Sequence, residues 1–462
     1  MTRPEPDQWD EPAQELVREN QRLREEIERL RKRVEELEEE LRATQRKAAP
    51  YSNGKRVANP KRPGRKAGQG EFCNRPAPSP EAVSETVEVP APSACPCGGV
   101  LEWEGEEWAT TTDLPLPPQP RVTGYRVAVC RCRKCGRRVT GSAPGLAPDQ
   151  WGATAHRVGP GVKAAAHALH YQAGVTARKL PLVLKELTGV EITQGALTQD
   201  ALRRTEAEVG EAYQQLRDGV HKAPVVNTDD TSWGVGGKVA HLMAFVTAES
   251  TVYQIRPQHR NEEVRELIPS DYRGVMGTDR GKSYDAREFV QVDQQKCLGH
   301  IQRNIKAVVE DKQGRAREFG LTLKGLLVEA QQVWKKRPTL CAADYQPQVD
   351  RIEAAVTHHL RDRVLKDDDN QRLLNGIGWH HDRGNLLRFL HVEGVEPTNN
   401  RAERALRPAV IGRKVSQCSK TPRGAEAYAA FASVLQTAAQ RGVSSTIRYL
   451  RELFQPSTPP AS

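Results

Sequence analysis

Apolar residues recur at heptad spacing near the start of the chain. Leu16, Leu23, Leu30 and Leu37 occupy one seam position, and Asn20, Ile27, Val34 and Leu41 the other. This period predicts a parallel two-stranded coiled coil over residues 13–44, in which the seam asparagine sets register and partner number at some cost in stability. Glu and Arg crowd its flanks, as suits an exposed helix with charge pairs. A lone surface helix is the alternative. Either way the segment speaks to self-association, a homodimer, and not to chemistry.

Further on the period changes. Residues 156–218 carry helical patterning, with a turn at Thr188-Gly189 and a second helix from about Thr193, an order that resembles helix-turn-helix and suggests a helical DNA-binding region. From residue 222 the pattern turns to strands: Val225-Val226 leads into Asp229-Asp230, and "VAHLMAFVTA" and "TVYQIRP" continue a hairpin series. Val275-Met276 forms a short apolar strand ending at Asp279. Helical periodicity with charged outer faces then returns, predicting a helical insertion over 305–394 between two parts of one core, 222–304 and 395–455, with a disordered tail at 456–462.

The chain has 462 residues, enough for several domains, and carries 69 Lys+Arg against 59 Asp+Glu for a net charge of +10. A basic balance favours a polyanionic partner such as nucleic acid. Much of it is local. Residues 45–72 hold Lys61, Arg62, Arg65 and Lys66 among Pro and Gly, a linker unable to pack a core and suited to lie along DNA. No stretch approaches the roughly 20 apolar residues of a membrane helix, and the polar start lacks a secretory signal. A cytoplasmic, nucleoid-associated protein with no membrane partner is expected.

In that compartment the cysteines are not expected to form a disulfide framework. Cys95 and Cys97, with Cys132 and Cys135 beyond a strand-like stretch, form two knuckles suited to a structural Zn²⁺. A metal would let the small module at 90–142 fold with little core. The first pair is Cys-x-Cys and Cys130 is left over.

The acids are the candidate chemistry. Adjacent side chains on a strand face opposite ways, so only one of Asp229 and Asp230 enters a common site. Asp279 ends a buried strand, where an acid is costly unless it binds something. Glu403 lies on a short helix capped by Thr398 and running to Pro408, with Asn399, Glu403 and Arg407 on one face. That leaves Arg401 and Arg404 free to reach phosphates. Two aspartates and a glutamate can hold a pair of Mg²⁺ or Mn²⁺ ions, which prefer hard oxygen ligands.

Taken in order, the leucine zipper, basic linker, cysteine knuckles, "DDTSW", "GVMGTD", "CLGH" and "PTNNRAERALRP" with "IGRK" resemble bacterial insertion-sequence transposases of family sixty-six. The likeness runs from about residue 13 to 455 and is most specific at the last two motifs. It implies a multidomain α+β chain whose RNase H-like α/β catalytic core is interrupted by the α-helical insertion. It implies Asp229, Asp279 and Glu403 as the catalytic metal-binding triad, with two ions per site. The family's Asp-Glu-Thr is Asp229-Asp230-Thr231 here, leaving open which aspartate ligates. Cys297 and His300 fit its Cys-x-x-His signature as accessory active-site residues, beside Asn399 and Arg407. Arg413 and Lys414 join Arg401 and Arg404 as phosphate contacts. The activity implied is metal-dependent DNA cleavage and strand transfer at the terminal inverted repeats of the chain's own element, into target DNA, with small accessory proteins of the same element as further partners. The alternatives are a catalytically inactive DNA-binding derivative and an RNase H-like nuclease without strand transfer.

Overall fold

The computed structural model describes residues 19–31, 33–34, 78–83, 86–87, 120–141, 143 and 156–455 apart from 311, 362 and 417. The chain divides into two compact units, residues 1–112 and 113–462.

In the first unit residues 19–31 and 33–34 are helical (α1). Leu23, Ile27, Leu30 and Val34 are exposed along it, about half of each surface open. Leu16, Leu37 and Leu41, the basic residues Lys61, Arg62, Arg65 and Lys66, and Cys95 and Cys97 lie outside the described residues.

The second unit opens with an antiparallel hairpin, β1 (Val129–Arg131) and β2 (Arg138–Thr140). Its turn holds Cys132 and Cys135, with the Gly136 amide donating to the Cys132 carbonyl at 2.9 Å. Gly136 has φ +70°, a backbone that favours glycine. Then come α2 (Pro160–Tyr171), α3 (Leu180–Thr188), α4 (Gln194–Thr205) and α5 (Glu208–Val220). Gly189 ends α3 in the left-handed region, and Thr193 caps α4 by accepting from the Ala196 amide.

A mixed sheet follows, built from β3 (Val225–Val235), β4 (Lys238–Val246), β5 (Thr251–Arg256), β6 (Val275–Thr278) and β7 (Asp293–Lys296), with α6 (Asn261–Arg265) between β5 and β6. Its order is β5-β4-β3-β6-β7. The first three strands are antiparallel neighbours, β6 runs parallel to β3, and β7 parallel to β6. One face packs Trp233, Ala240, Leu242 and Tyr253 against α11 (Asn400–Ser416) and α12 (Pro422–Gln440). The other packs Val226, Met243, Phe245 and Met276 against Val220, Val264 and Ile268. The chain closes with α13 (Thr446–Leu453), whose Leu450 packs with Phe431 of α12 and Ala164 of α2.

Between β7 and α11 lie α7 (Leu298–Val309), α8 (Gly314–Lys336), α9 (Ala342–Leu360) and α10 (Asp368–Asp382), which share a core including Ile301, Leu323, Ile352 and Ile377. Residue 305, where the helical insertion was expected to start, lies inside α7. The apolar stripe Leu298, Ile301, Ile305, Val309 carries α7 straight through that boundary.

Two elements depart from the sequence expectation. Strand β7 is a buried "DQQK" without hydrophobic alternation. Its glutamines bond inward: Gln294 donates to the Tyr284 carbonyl at 2.7 Å, leaving its buried Oε1 without a partner among the described residues, and Gln295 bonds both the Leu386 carbonyl and the Phe389 amide. The glutamate helix does not stop at Pro408, because α11 continues through "IGRK" to Ser416. Proline there forfeits one backbone bond, while buried Ala402, Ala405, Leu406, Ala409 and Gly412 hold both halves against their neighbours.

Candidate active site

β3 and β6 pair in parallel through Asn227 and Gly277. Two residues beyond that pair on each chain stand Asp229 and Asp279. Neighbouring strands lie about 4.8 Å apart, so the two acids leave the sheet side by side. Gly277 is required at this pairing, since a Cβ there would come within 2.4 Å of the Asn227 side-chain nitrogen.

Alternation along β3 separates the adjacent aspartates. Asp229 shares a face with Asn227, towards α11. Asp230 shares the opposite face with Thr228, and its carboxylate is engaged by His241 Nδ1 at 2.9 Å and His259 Nδ1 at 3.1 Å.

The glutamate arrives on α11, positioned by Asn399 just before the helix. Buried Asn399 donates to the Thr228 carbonyl at 2.8 Å and accepts from Asn227 Nδ2 at 3.2 Å. Its amide donates to Cys297 Sγ at 3.2 Å, and its carbonyl receives the Glu403 amide at 3.1 Å. Asn399, not Thr398, thus supplies the carbonyl for the first turn leading to Glu403.

Burial is the main cause that raises the Asp229 carboxyl to about 7, and the charges of Asp279, Asp230 and Glu403 push the same way against one bond from the Asp230 amide. Asp279 accepts from the Gly281 amide at 2.7 Å. Glu403 has His300 Nδ1 at 3.8 Å and Arg303 at 3.6 Å. The imidazole of His300 is pushed down, first by burial and then by Arg303, while Glu403 and Asp279 oppose this. The three acids, His300 and Asn399 therefore form one neighbourhood. Cys297, His300 and Glu403 also offer donor atoms within 4.8 Å of one another.

The arginines near Glu403 divide differently from the sequence expectation. Arg401 pairs with Glu396 at 3.0 Å. Arg404 and Arg407 are exposed, and the carboxylate of Glu403 is met instead by Arg303 and His300. Arg413 turns inward on β3, donating to Thr231 Oγ1 at 3.1 Å and to Ser232. Lys414, next along α11, is exposed.

Two supporting groups escaped the sequence analysis. Arg303 lies one helical turn beyond His300, a spacing that a helix through residue 305 would have exposed. Lys296, fully buried on β7, meets Asp285 at 2.8 Å and donates to Thr278 Oγ1 at 3.1 Å, next to Asp279. Its polar strand carried no hydrophobic signal.

The cysteine hairpin is a separate candidate. The Cys132 thiol is held below its ordinary value by the Cys135 and Lys134 backbone amides. Such a turn suits a thiolate ligand.

Comparison with known proteins adds the following. A model of the Transposase IS66 family matches residues 156–427. None of the curated proteins compared with the chain matches it. Among solved structures, the HTLV-2 integrase catalytic core domain in complex with magnesium is similar over 31% of this chain and 90% of that one, at 12% identity and a TM-score of 0.14. The simian T-cell lymphotropic virus intasome in complex with a PP2A regulatory subunit, B56 gamma, is similar over 38% of this chain and 56% of that one, at 13% identity and a TM-score of 0.14.

Proposed function

Since this chain belongs to the Transposase IS66 family, we propose that it is a DDE transposase that cuts DNA at the ends of its own insertion sequence and joins them to target DNA. The mixed sheet is then an RNase H-like core, with Asp229, Asp279 and Glu403 as its metal-binding triad. The observation that carries this is the geometry: Asp229 and Asp279 each follow the Asn227–Gly277 pairing of β3 and β6 by two residues, and Asn399 ties the helix of Glu403 to the same strand.

The donor set fits hard dications. The acids supply carboxylate oxygens, and among the described residues Glu403 is met by the guanidinium of Arg303 and the imidazole of His300, the latter held towards its neutral form. Excess negative charge at one place favours a bound cation. Mg²⁺ or Mn²⁺ held there would supply activation of an attacking oxygen and stabilisation of a leaving one at phosphorus.

The chain's own residues do the rest. Asn399 ties the glutamate helix to β3 and fixes where Glu403 stands. His300, held towards its neutral form, can accept a proton beside Glu403. Arg404 and Arg407 face solvent and can offset phosphate charge, joined by Arg401 where Glu396 releases it. Arg413 positions β3. Asp230 stays with its histidines, which favours Asp229 as the ligating aspartate.

The finer organisation follows the same proposal. The exposed stripe of α1 supports a coiled-coil homodimer, and the Cys132/Cys135 turn supports two thiolate ligands of a structural zinc. Among the described residues no helix is long and apolar enough to cross a membrane.

The test is a labelled DNA end from the element, incubated with full-length protein, plasmid and Mg²⁺. Cleavage to a 3′-hydroxyl and joining to plasmid are expected. Nicking without joining would indicate a nuclease, and binding without cleavage an inactive derivative.

A further inference from the structure

We propose that Asp230, His241 and His259 form a second metal site, for a transition-metal dication of the zinc class, on the face of the sheet opposite the acid triad. The three donor atoms lie within 4.8 Å of one another. His241 Nδ1 approaches Asp230 Oδ2 at 2.9 Å, and His259 Nδ1 approaches Oδ1 at 3.1 Å. Each imidazole thus presents the same nitrogen to a separate carboxylate oxygen.

The local architecture suits ligation. His241 pairs with Ser232 across the β3–β4 ladder, while Asp230 pairs with Met243, so the two side chains are diagonal neighbours on one face. His259 comes from the segment between β5 and α6. Its far nitrogen, Nε2, faces Ser283 Oγ at 3.4 Å, an outer contact of the kind that fixes the orientation of a ligating imidazole. The side chains of Asp230, His241 and His259 are 25%, 32% and 12% exposed, so an ion can enter and solvent can complete its coordination.

The donor chemistry separates this site from its neighbour. Two imidazole nitrogens and one carboxylate suit zinc, cobalt or iron(II), whereas an all-oxygen triad suits magnesium. An ion here would replace the imidazole protons that otherwise face Asp230 and tie β3, β4 and the segment after β5 together directly behind Asp229. No electron transfer or covalent step is involved.

The test uses full-length protein stripped of metal and reloaded with zinc in the presence of Mg²⁺. After gel filtration, the His241→Ala/His259→Ala variant should retain one fewer zinc per chain than the unaltered protein, because the cysteines and the acid triad are intact in both. On the unaltered chain, zinc should slow diethyl pyrocarbonate acylation of His241 and His259, read by peptide mass spectrometry. The second measurement decides alone if the double variant does not fold. Equal zinc content with both histidines unprotected would overturn the proposal and leave a hydrogen-bonded trio. Failure of DNA joining with zinc still bound would instead count against the transposase proposal.

Discussion

The side chain of Asn399 donates to the backbone carbonyl of Thr228 at 2.8 Å, joining the helix of Glu403 to the strand of Asp229 across 171 positions of the sequence. Asn227 donates to the same side chain, so the amide is used at both ends. Asn399→Ala removes both bonds and leaves buried polar groups unpaired. A loss of about 2–3 kcal/mol is expected, measured by denaturant unfolding. Strand transfer should fall further than that loss of folded protein accounts for, because Glu403 loses its anchor.

Replacing Asp229, Asp279 or Glu403 by Asn or Gln should abolish cleavage and joining while DNA binding is kept. Gel-shift and end-joining assays on the same preparations separate the two. Retained joining in any one variant would remove that residue from the triad.

Asp229 links pH to stability. Its folded value, raised to about 7 from 3.8, contributes stability that is full below about pH 4 and is lost as pH rises through 7. Metal-free Asp229→Asn should therefore match the unaltered protein near pH 4 and exceed it at pH 8, by roughly 2–4 kcal/mol. Added Mg²⁺ should raise the Tm of the unaltered protein at pH 8 and have little effect near pH 5. Calorimetry across pH checks both.

Lys296 is buried against Asp285, and its removal strands that carboxylate. Lys296→Met should cost about 3 kcal/mol, with Lys296→Met/Asp285→Asn less damaging than the single change. Denaturant unfolding of the pair tests this. An additive result would argue against the ion pair.

The arginines of α11 separate by role. Arg404→Ala and Arg407→Ala should weaken DNA binding alike across sequences and each reduce the salt slope by about 1. Arg413→Ala should leave the slope unchanged and destabilise β3, because its guanidinium is bonded to Thr231 and Ser232.

Local pattern was enough for the elements that carry their own period. The helical stretch α1, the β3–β5 hairpins and the α3–α4 turn were legible because each signal sits within a few residues. The family was legible too, through motifs such as "PTNNRAERALRP" whose residues are contiguous. Strand β7 was not, because its burial depends on partners from distant segments. Nor was the passage of α11 through Pro408, where packing against the sheet outweighs one missing bond. That Glu403 meets Arg303 and His300, that Arg413 turns inward, and that Asp230 joins two histidines while its neighbour faces Asp279 were decided by the tertiary structure alone. A side chain's partner is set by where the backbone carries it, and that follows from the packing of the whole sheet and its helices.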